Sequence, residues 1–212
     1  TKYIGTAITN LGIVDNHIAC IGENSYKWVL SYLTVLKSNS VFVPVDKELP
    51  AEDIINVLIN SDSEAMFYSG AYEEVLMQNL DKLTNIKYFI GFDRDEISED
   101  GRFLSFNALM EMGKEKLAQG ERIKEILKQP QYKPMPVEYQ VIIIFVATKK
   151  CLLDIPVDDI TRFESEFFEF LDTKYPEIPE SIKTNKVISE EMEEKLLAAV
   201  EDFKKDFVTG IS

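Results

Sequence analysis

One short segment has the residue types of a phosphate-binding turn. Tyr68-Ser69-Gly70 follows an apolar run and resembles the start of a serine- and glycine-rich loop whose backbone N–H groups hold phosphates. It continues as Ala71-Tyr72-Glu73-Glu74, which adds no glycine and places two carboxylates beside the phosphate position. We therefore interpret residues 68–70 as a strand-to-helix turn, with an anion site as the alternative.

The pair Gly113-Lys114 is the other candidate for phosphate chemistry. A P-loop requires a glycine five positions before Gly113 and Ser or Thr after the lysine, but Ala108 and Glu115 stand there. His17 is the sole histidine of the sequence, and without a residue to orient it an imidazole is a poor general base. These patterns predict no catalytic residue.

Carboxylates and thiols offer no clear metal site either. Asp158-Asp159 and the group Glu191, Glu193 and Glu194 lie where helices begin, so we interpret them as solvated residues that favour the helix dipole. Cys20 and Cys151 each lie in an apolar stretch and are predicted to be buried thiols. We therefore assign no catalytic, cofactor-binding or metal-binding residue.

Composition limits the class of partner. The net charge is −14, and such a chain repels phosphate backbones, so nucleic acid is excluded as a partner. The longest apolar run, residues 141–147, is too short for a transmembrane helix, which needs about 20 residues. The first residues do not have the pattern of a signal peptide, and two unpaired cysteines are typical of a reducing cytoplasm.

The elements that would position these residues change character along the chain. In the first half, apolar runs predict strands near residues 17–21, 41–45, 65–68 and 86–90. Helical patterns separate them, the first with Tyr26, Val29, Leu30, Leu33 and Leu36 on one face. This alternation predicts parallel βαβ units.

The second half has helical patterns alone. Residues 137–148 are apolar nearly all round and predict a buried helix. Pro156 opens another helix with Ile160, Phe163, Phe167 and Leu171 inward, and Ser189 caps a last one. The predicted fold class is therefore an α/β N-terminal half followed by an all-α helical bundle.

The first half resembles the N-terminal part of AMP-forming adenylate ligases of the long-chain acyl-CoA synthetase type. The resemblance lies in residues 21–28, 36–46 and 47–52 and extends over about residues 1–118. It implies the scaffold of such a ligase, whose chemistry uses ATP and Mg²⁺ with a phosphate loop, a Thr-Glu pair, an Asp and a mobile lysine-bearing domain. None of these parts is recognisable here. Ser38-Asn39-Ser40 departs from the family, which usually carries glycine there.

The second half resembles the C-terminal domain of the ATP synthase alpha subunit. The resemblance lies in residues 127–138, 154–158 and 162–164, with departures at Tyr139 and Cys151. It implies a helical domain without catalytic residues, near the beta and gamma subunits. Arg122 and Arg162 occupy family positions, and we interpret both as structural.

Together these observations predict two domains, residues 1–116 and 117–212, joined within one helix in which Gly120 is a weak point. The predicted function is a catalytically incomplete fusion that needs no cofactor and turns over no substrate. One alternative is an ATP synthase interaction module that binds the beta and gamma subunits. Another is an acyl-CoA ligase-related enzyme. We expect a cytoplasmic protein that tends to self-associate, or one peripheral to the cytoplasmic side of the inner membrane.

Overall fold

The computed structural model describes residues 1–128 and 135–209, and the side chains as far as residue 207. It divides into two compact units, Thr1–Leu117 and Ala118–Ser212. We call them the N-terminal unit and the C-terminal unit and describe each by itself.

The N-terminal unit is built on five strands: β1 (His17–Ile21), β2 (Val41–Pro44), β3 (Ser63–Tyr68), β4 (Tyr88–Gly91) and β5 (Phe103–Ser105). Its helices are α1 (Lys2–Asn10), α2 (Tyr26–Lys37), α3 (Ala51–Asn60), α4 (Glu73–Met77) and the first part of α5 (Phe106–Ile126). The strands form one sheet in the order β2-β1-β3-β4-β5, and every pair is parallel. The predicted parallel βαβ arrangement is confirmed.

Helices cover both faces of this sheet. Alternate residues of β1 enter two separate apolar clusters, Ile18 and Cys20 on one face and Ala19 and Ile21 on the other. The first cluster includes buried residues of α1 and α5, whereas the second includes those of α3 and α4. Burial on both faces is the reason that β1, β3 and β4 appear in the sequence as apolar runs, whereas the edge strand β2 is partly exposed.

Two elements of the N-terminal unit were not anticipated. Helix α1 buries Ile4, Ala7 and Ile8 against the sheet, and β5 adds three buried residues beyond β4. Helix α2 begins as expected, since the Ser25 hydroxyl accepts a hydrogen bond from the Trp28 N–H at 3.2 Å. Its buried residues, however, are Ser31, Thr34 and Val35, and most of the predicted apolar face is exposed.

The departure at residues 38–40 has a visible backbone consequence. Asn39 adopts φ 60°, a left-handed conformation that glycine enters without strain and that asparagine tolerates better than most residues. Its side-chain amide donates to Asp15 Oδ1 at 2.7 Å. The turn into β2 therefore keeps a conformation suited to the glycine of the ligase family.

The C-terminal unit is helical, as predicted. It contains the end of α5, then α6 (Val137–Thr148), α7 (Ile160–Lys174), α8 (Glu177–Asn185) and α9 (Glu190–Thr209). Ile160, Phe163, Phe167 and Leu171 are all buried in its apolar core, which confirms the predicted inward face of α7. Helix α8 was not anticipated, and part of the motif at residues 127–138 lies outside the described residues.

Helix α5 is continuous from Phe106 to Ile126, so the helix predicted to join the two halves forms. The division between the units falls within it. No helix in the described ranges has the length and apolarity required to cross a membrane.

Candidate functional site

The topology of the sheet points to the carboxyl ends of β1 and β3. The chain leaves β1 toward β2 on one side and returns to β3 on the other, so the two neighbouring strands flank a topological switch point. In open α/β sheets, ligands bind in the crevice at the carboxyl ends of such strands. Gly22 follows β1 here, and Ser69 and Gly70 follow β3.

The two loops at this switch point contact each other directly after the strands. The Ser69 N–H donates to the Ile21 carbonyl at 3.1 Å. Gly22 has φ 154°, and a Cβ built on it would lie 3.1 Å from both Cβ and Oγ of Ser69. Glycine is therefore favoured at position 22, because a side chain there would be crowded by Ser69.

In the turn after β3, a backbone N–H donates a hydrogen bond to a carboxylate. The Gly70 N–H donates to Asp93 Oδ2 at 3.2 Å, and a short 3₁₀ turn, Gly70–Tyr72, leads into α4. The sequence-predicted strand-to-helix turn is thus present. An anion at Gly70 would compete with Asp93 for the same N–H and would be repelled by its charge.

Glu73 adds a second carboxylate beside this turn. It accepts a hydrogen bond from the Tyr68 hydroxyl at 3.1 Å and forms an ion pair with Arg94. Burial and the charge of Glu73 raise the pKa of the Tyr68 hydroxyl well above its ordinary range. Arg94 is therefore neutralised by the chain and is not available as a phosphate ligand.

Two lysines near these loops, Lys47 and Lys27, also bind partners within the chain. Lys47 pairs with Glu23 at 2.6 Å, and this hydrogen-bonded partner raises the pKa of Lys47. The Tyr72 hydroxyl donates to the Lys47 carbonyl at 3.1 Å. Lys27 donates to the Phe92 carbonyl and lies 5.8 Å from the centre of the Phe106 ring.

The remaining sequence candidates lie away from this edge. His17 Nδ1 is 2.6 Å from the Ser61 carbonyl, at the opposite end of β1. Gly113 lies on α5, where a Cβ would approach the Tyr3 carbonyl oxygen to 1.8 Å, so this glycine permits close packing of α1 on α5. The pair Gly113-Lys114 is therefore part of a helix contact.

Neither thiol resembles a reactive cysteine. Cys20 is buried in β1, and desolvation raises its pKa to about 12. Cys151 is half-buried, and its pKa is raised for the same reason. Within residues 1–128 and 135–209, no group of three or more His, Cys, Asp or Glu residues is arranged to hold a metal ion.

In the C-terminal unit, Arg122 and Arg162 both form structural contacts within the chain. Arg122 donates to the carbonyls of Leu152 at 2.5 Å, Leu153 at 2.9 Å and Ile155 at 3.0 Å, and so holds the loop between α6 and α7. Arg162 pairs with Glu166 at 2.8 Å on the exposed side of α7. Sequence reasoning recognised the turn that contains Ser69, but it missed the contacts of Ser69 with Gly22 and of Asp93 with Gly70, because no local pattern indicates them.

Two family models match the chain, with an overlap between residues 99 and 131. The AMP-binding enzyme model matches residues 2–131. The model of the ATP synthase alpha/beta chain, C terminal domain, matches residues 99–203.

Curated relatives resemble part of the chain. The ATP synthase subunit alpha of Clostridium kluyveri is 46% identical over 117 residues, which are 55% of this chain and 23% of that protein. The ATP synthase subunit alpha of Wolinella succinogenes is 48% identical over 100 residues, 47% of this chain and 20% of that protein. The chain thus spans less than a quarter of the length of these relatives.

Solved structures with similarity to this chain include two CoA ligases. An anthranilate CoA ligase in complex with anthranoyl-AMP has TM-score 0.48 and 15% identity, over 52% of this chain and 21% of that one. A protein from Rhodopseudomonas palustris that was assigned as a long-chain-fatty-acid CoA ligase has TM-score 0.45 and 18% identity. The match covers 51% of this chain and 27% of that chain.

Proposed function

Because this chain belongs to the AMP-binding enzyme family and carries an ATP synthase alpha/beta C-terminal segment, we propose that it is a ligase-like scaffold without adenylation activity. The two-part resemblance predicted from the sequence is confirmed. The proposal concerns these 212 residues acting by themselves.

The observation that carries this proposal is the contact between Gly70 and Asp93. Adenylation requires preorganised donors aimed at the phosphates, and loss of one such donor in an enzyme costs about 3 kcal/mol of transition-state stabilisation. Here the turn that most resembles a phosphate-binding loop donates its Gly70 N–H to a carboxylate, and the Ser69 side chain lies against Gly22 of the neighbouring loop. These residues do not fit the ATP and Mg²⁺ that adenylate ligases use.

The test is ATP–pyrophosphate exchange by the purified chain with a long-chain fatty acid. The proposal expects no exchange above the rate without protein. Exchange that depends on the fatty acid would instead support the alternative, an acyl-CoA ligase-related enzyme.

A second candidate function is an interaction module of an ATP synthase. It is supported by the 46% identity to an alpha subunit and by apolar side chains left exposed on the C-terminal unit. Val137 is 70% exposed and Val187 is 65% exposed. Large exposed apolar side chains of this kind are often covered by another protein subunit. We infer from this that the beta or gamma subunit contacts the C-terminal unit, which would place the chain peripherally at the cytoplasmic side of the inner membrane.

A pull-down of the beta subunit by the full chain tests this second candidate. We expect retention that is lost in Val137→Asp/Val187→Asp and kept in Ile97→Asp, which alters an exposed apolar residue of the N-terminal unit. Absence of retention by the unaltered chain would end the idea.

A further inference from the structure

A cavity of about 730 Å³ lies within the N-terminal unit, away from the carboxyl edge of the sheet. Its walls come from three helices and include Lys2 and Gly5 of α1, Thr34 and Lys37 of α2, and Lys116 of α5. The volume is in the range of sites for small molecules, which is roughly 300–1,000 Å³.

The charge of this cavity is opposite to that of the chain. Three lysines line it and no aspartate or glutamate does, although the sequence has 37 acidic residues against 23 Lys and Arg. Helices α1 and α2 contain no acidic residue, and the glutamates of α5 are not among the residues that line the cavity. The local positive charge therefore follows from the sequences of α1 and α2 and from the position of Lys116.

The three lysines also lack the partners that other lysines of the unit have. Lys47, Lys87 and Lys114 form ion pairs with Glu23, Glu64 and Glu111. Within the described part of the N-terminal unit, Lys2, Lys37 and Lys116 form none. Three like charges around one cavity repel each other, and an anion between them would relieve that repulsion.

Three threonine hydroxyls of the walls are already engaged in hydrogen bonds. The hydroxyls of Thr6, Thr9 and Thr34 donate their protons to the carbonyls of Lys2, Gly5 and Leu30 at 3.0, 2.9 and 2.6 Å. These hydroxyl protons are thus already engaged within α1 and α2. The ammonium groups are the cavity's strong donors.

We propose that this cavity binds a phosphate-bearing small molecule with at least two negative charges. Lysine binds phosphate as a compact point charge, whereas a planar carboxylate is matched better by the fork of an arginine, and no arginine lines the cavity. Several ammonium groups from separate helices suit a ligand whose charged oxygens point in several directions. The proposal does not depend on adenylation, since the site lies apart from the switch point.

The test is isothermal titration of the full chain with inorganic pyrophosphate at low ionic strength. We expect saturable binding, weakened about tenfold or more in Lys2→Gln/Lys37→Gln/Lys116→Gln because several charge-assisted hydrogen bonds are lost. The control Lys47→Gln/Lys82→Gln/Lys87→Gln removes an equal number of charges from residues that do not line the cavity and should weaken binding less than about twofold, since exposed distant charges are screened.

Three outcomes would overturn the proposal. They are no saturable binding by the unaltered chain, an equal loss of affinity in both triple variants, or equal affinity for malonate, which carries two carboxylates in place of phosphates. Circular dichroism melts establish that the variants are folded. Should the triple variant unfold, Lys2→Gln/Lys37→Gln alters the two exposed lysines alone and must still weaken binding.

Discussion

The carboxylate of Asp93 accepts the Gly70 N–H at 3.2 Å, and this contact ties the loop after β4 to the turn after β3. Both loops lie at the edge of the sheet where ligands of α/β proteins bind. The chain thus satisfies its own backbone donor at the position where a phosphate would need it. This contact supports the absence of adenylation that we propose.

Removal of this carboxylate should loosen the turn. We expect Asp93→Ala to lower the free energy of unfolding by about 0.5 to 1 kcal/mol, because a partly exposed charge-assisted hydrogen bond is lost. Urea unfolding followed by circular dichroism measures the change. Asp95→Ala, which removes an exposed carboxylate two residues further on, is the control and should have a smaller effect. Equal losses of unfolding free energy in both variants would show that the hydrogen bond between Gly70 and Asp93 does not stabilise the fold.

The same substitution at two glycines of α5 should have opposite effects. Gly113→Ala forces a Cβ to 1.8 Å from the Tyr3 carbonyl oxygen, so we expect a loss of about 3 kcal/mol as α1 shifts from α5. Gly120→Ala meets no atom within 4 Å, and we expect a gain of up to about 1 kcal/mol from helix propensity. Thermal melts of the two variants compare the signs. A neutral Gly113→Ala would contradict the close packing of α1 on α5.

The exposed apolar face of α2 should mediate self-association. Tyr26, Val29, Leu33 and Leu36 are 78%, 48%, 49% and 50% exposed, an apolar surface of a kind that soluble monomers usually cover. We expect concentration-dependent association in sedimentation velocity and a shift toward monomer in Leu33→Ser/Leu36→Ser. The control Ile97→Ser alters an equally exposed residue in the charged loop. A monomer at every concentration would contradict the prediction.

The buried thiol of Cys20 should remain protonated in the folded chain at alkaline pH. Its pKa is raised from 9.0 to about 12, so its contribution to stability is full below pH 9.0 and is lost as pH rises through about 12. Alkylation by iodoacetamide at mildly alkaline pH, followed by mass spectrometry, should modify the half-buried Cys151 faster than Cys20. In urea both thiols should react alike. Faster modification of Cys20 in the folded chain would show that β1 is not packed as described.

The sequence predicted elements well where periodicity and burial agree. The strands β1, β3 and β4 appear as apolar runs because both of their faces are covered, and the inward face of α7 follows directly from its spacing. Strand β5 was missed because three residues after a charged loop are too short for a pattern. In α2 the apolar spacing marks the exposed face, since the buried side of this helix uses the small residues Ser31 and Thr34. Spacing alone does not reveal which side a neighbour covers.

At the candidate site, the sequence could predict only that the motifs of a phosphate-binding loop are missing. Residues 68–70 could be recognised as a turn, because two glutamates follow where a phosphate loop would have glycines. The contacts of Gly70 with Asp93 and of Gly22 with Ser69 join residues 23 and 47 positions apart in sequence. Such contacts depend on which strands are neighbours in the sheet, and the order β2-β1-β3-β4-β5 is not contained in any local pattern.

The most direct test is the rate of ATP–pyrophosphate exchange by the purified chain with palmitate, Mg²⁺ and radiolabelled pyrophosphate. A full-length AMP-forming ligase, assayed in the same buffer, shows that exchange would be detected. We predict that the unaltered chain gives a rate equal to that without protein. Palmitate-dependent exchange above that rate, lost on heat denaturation of the chain, would contradict this prediction.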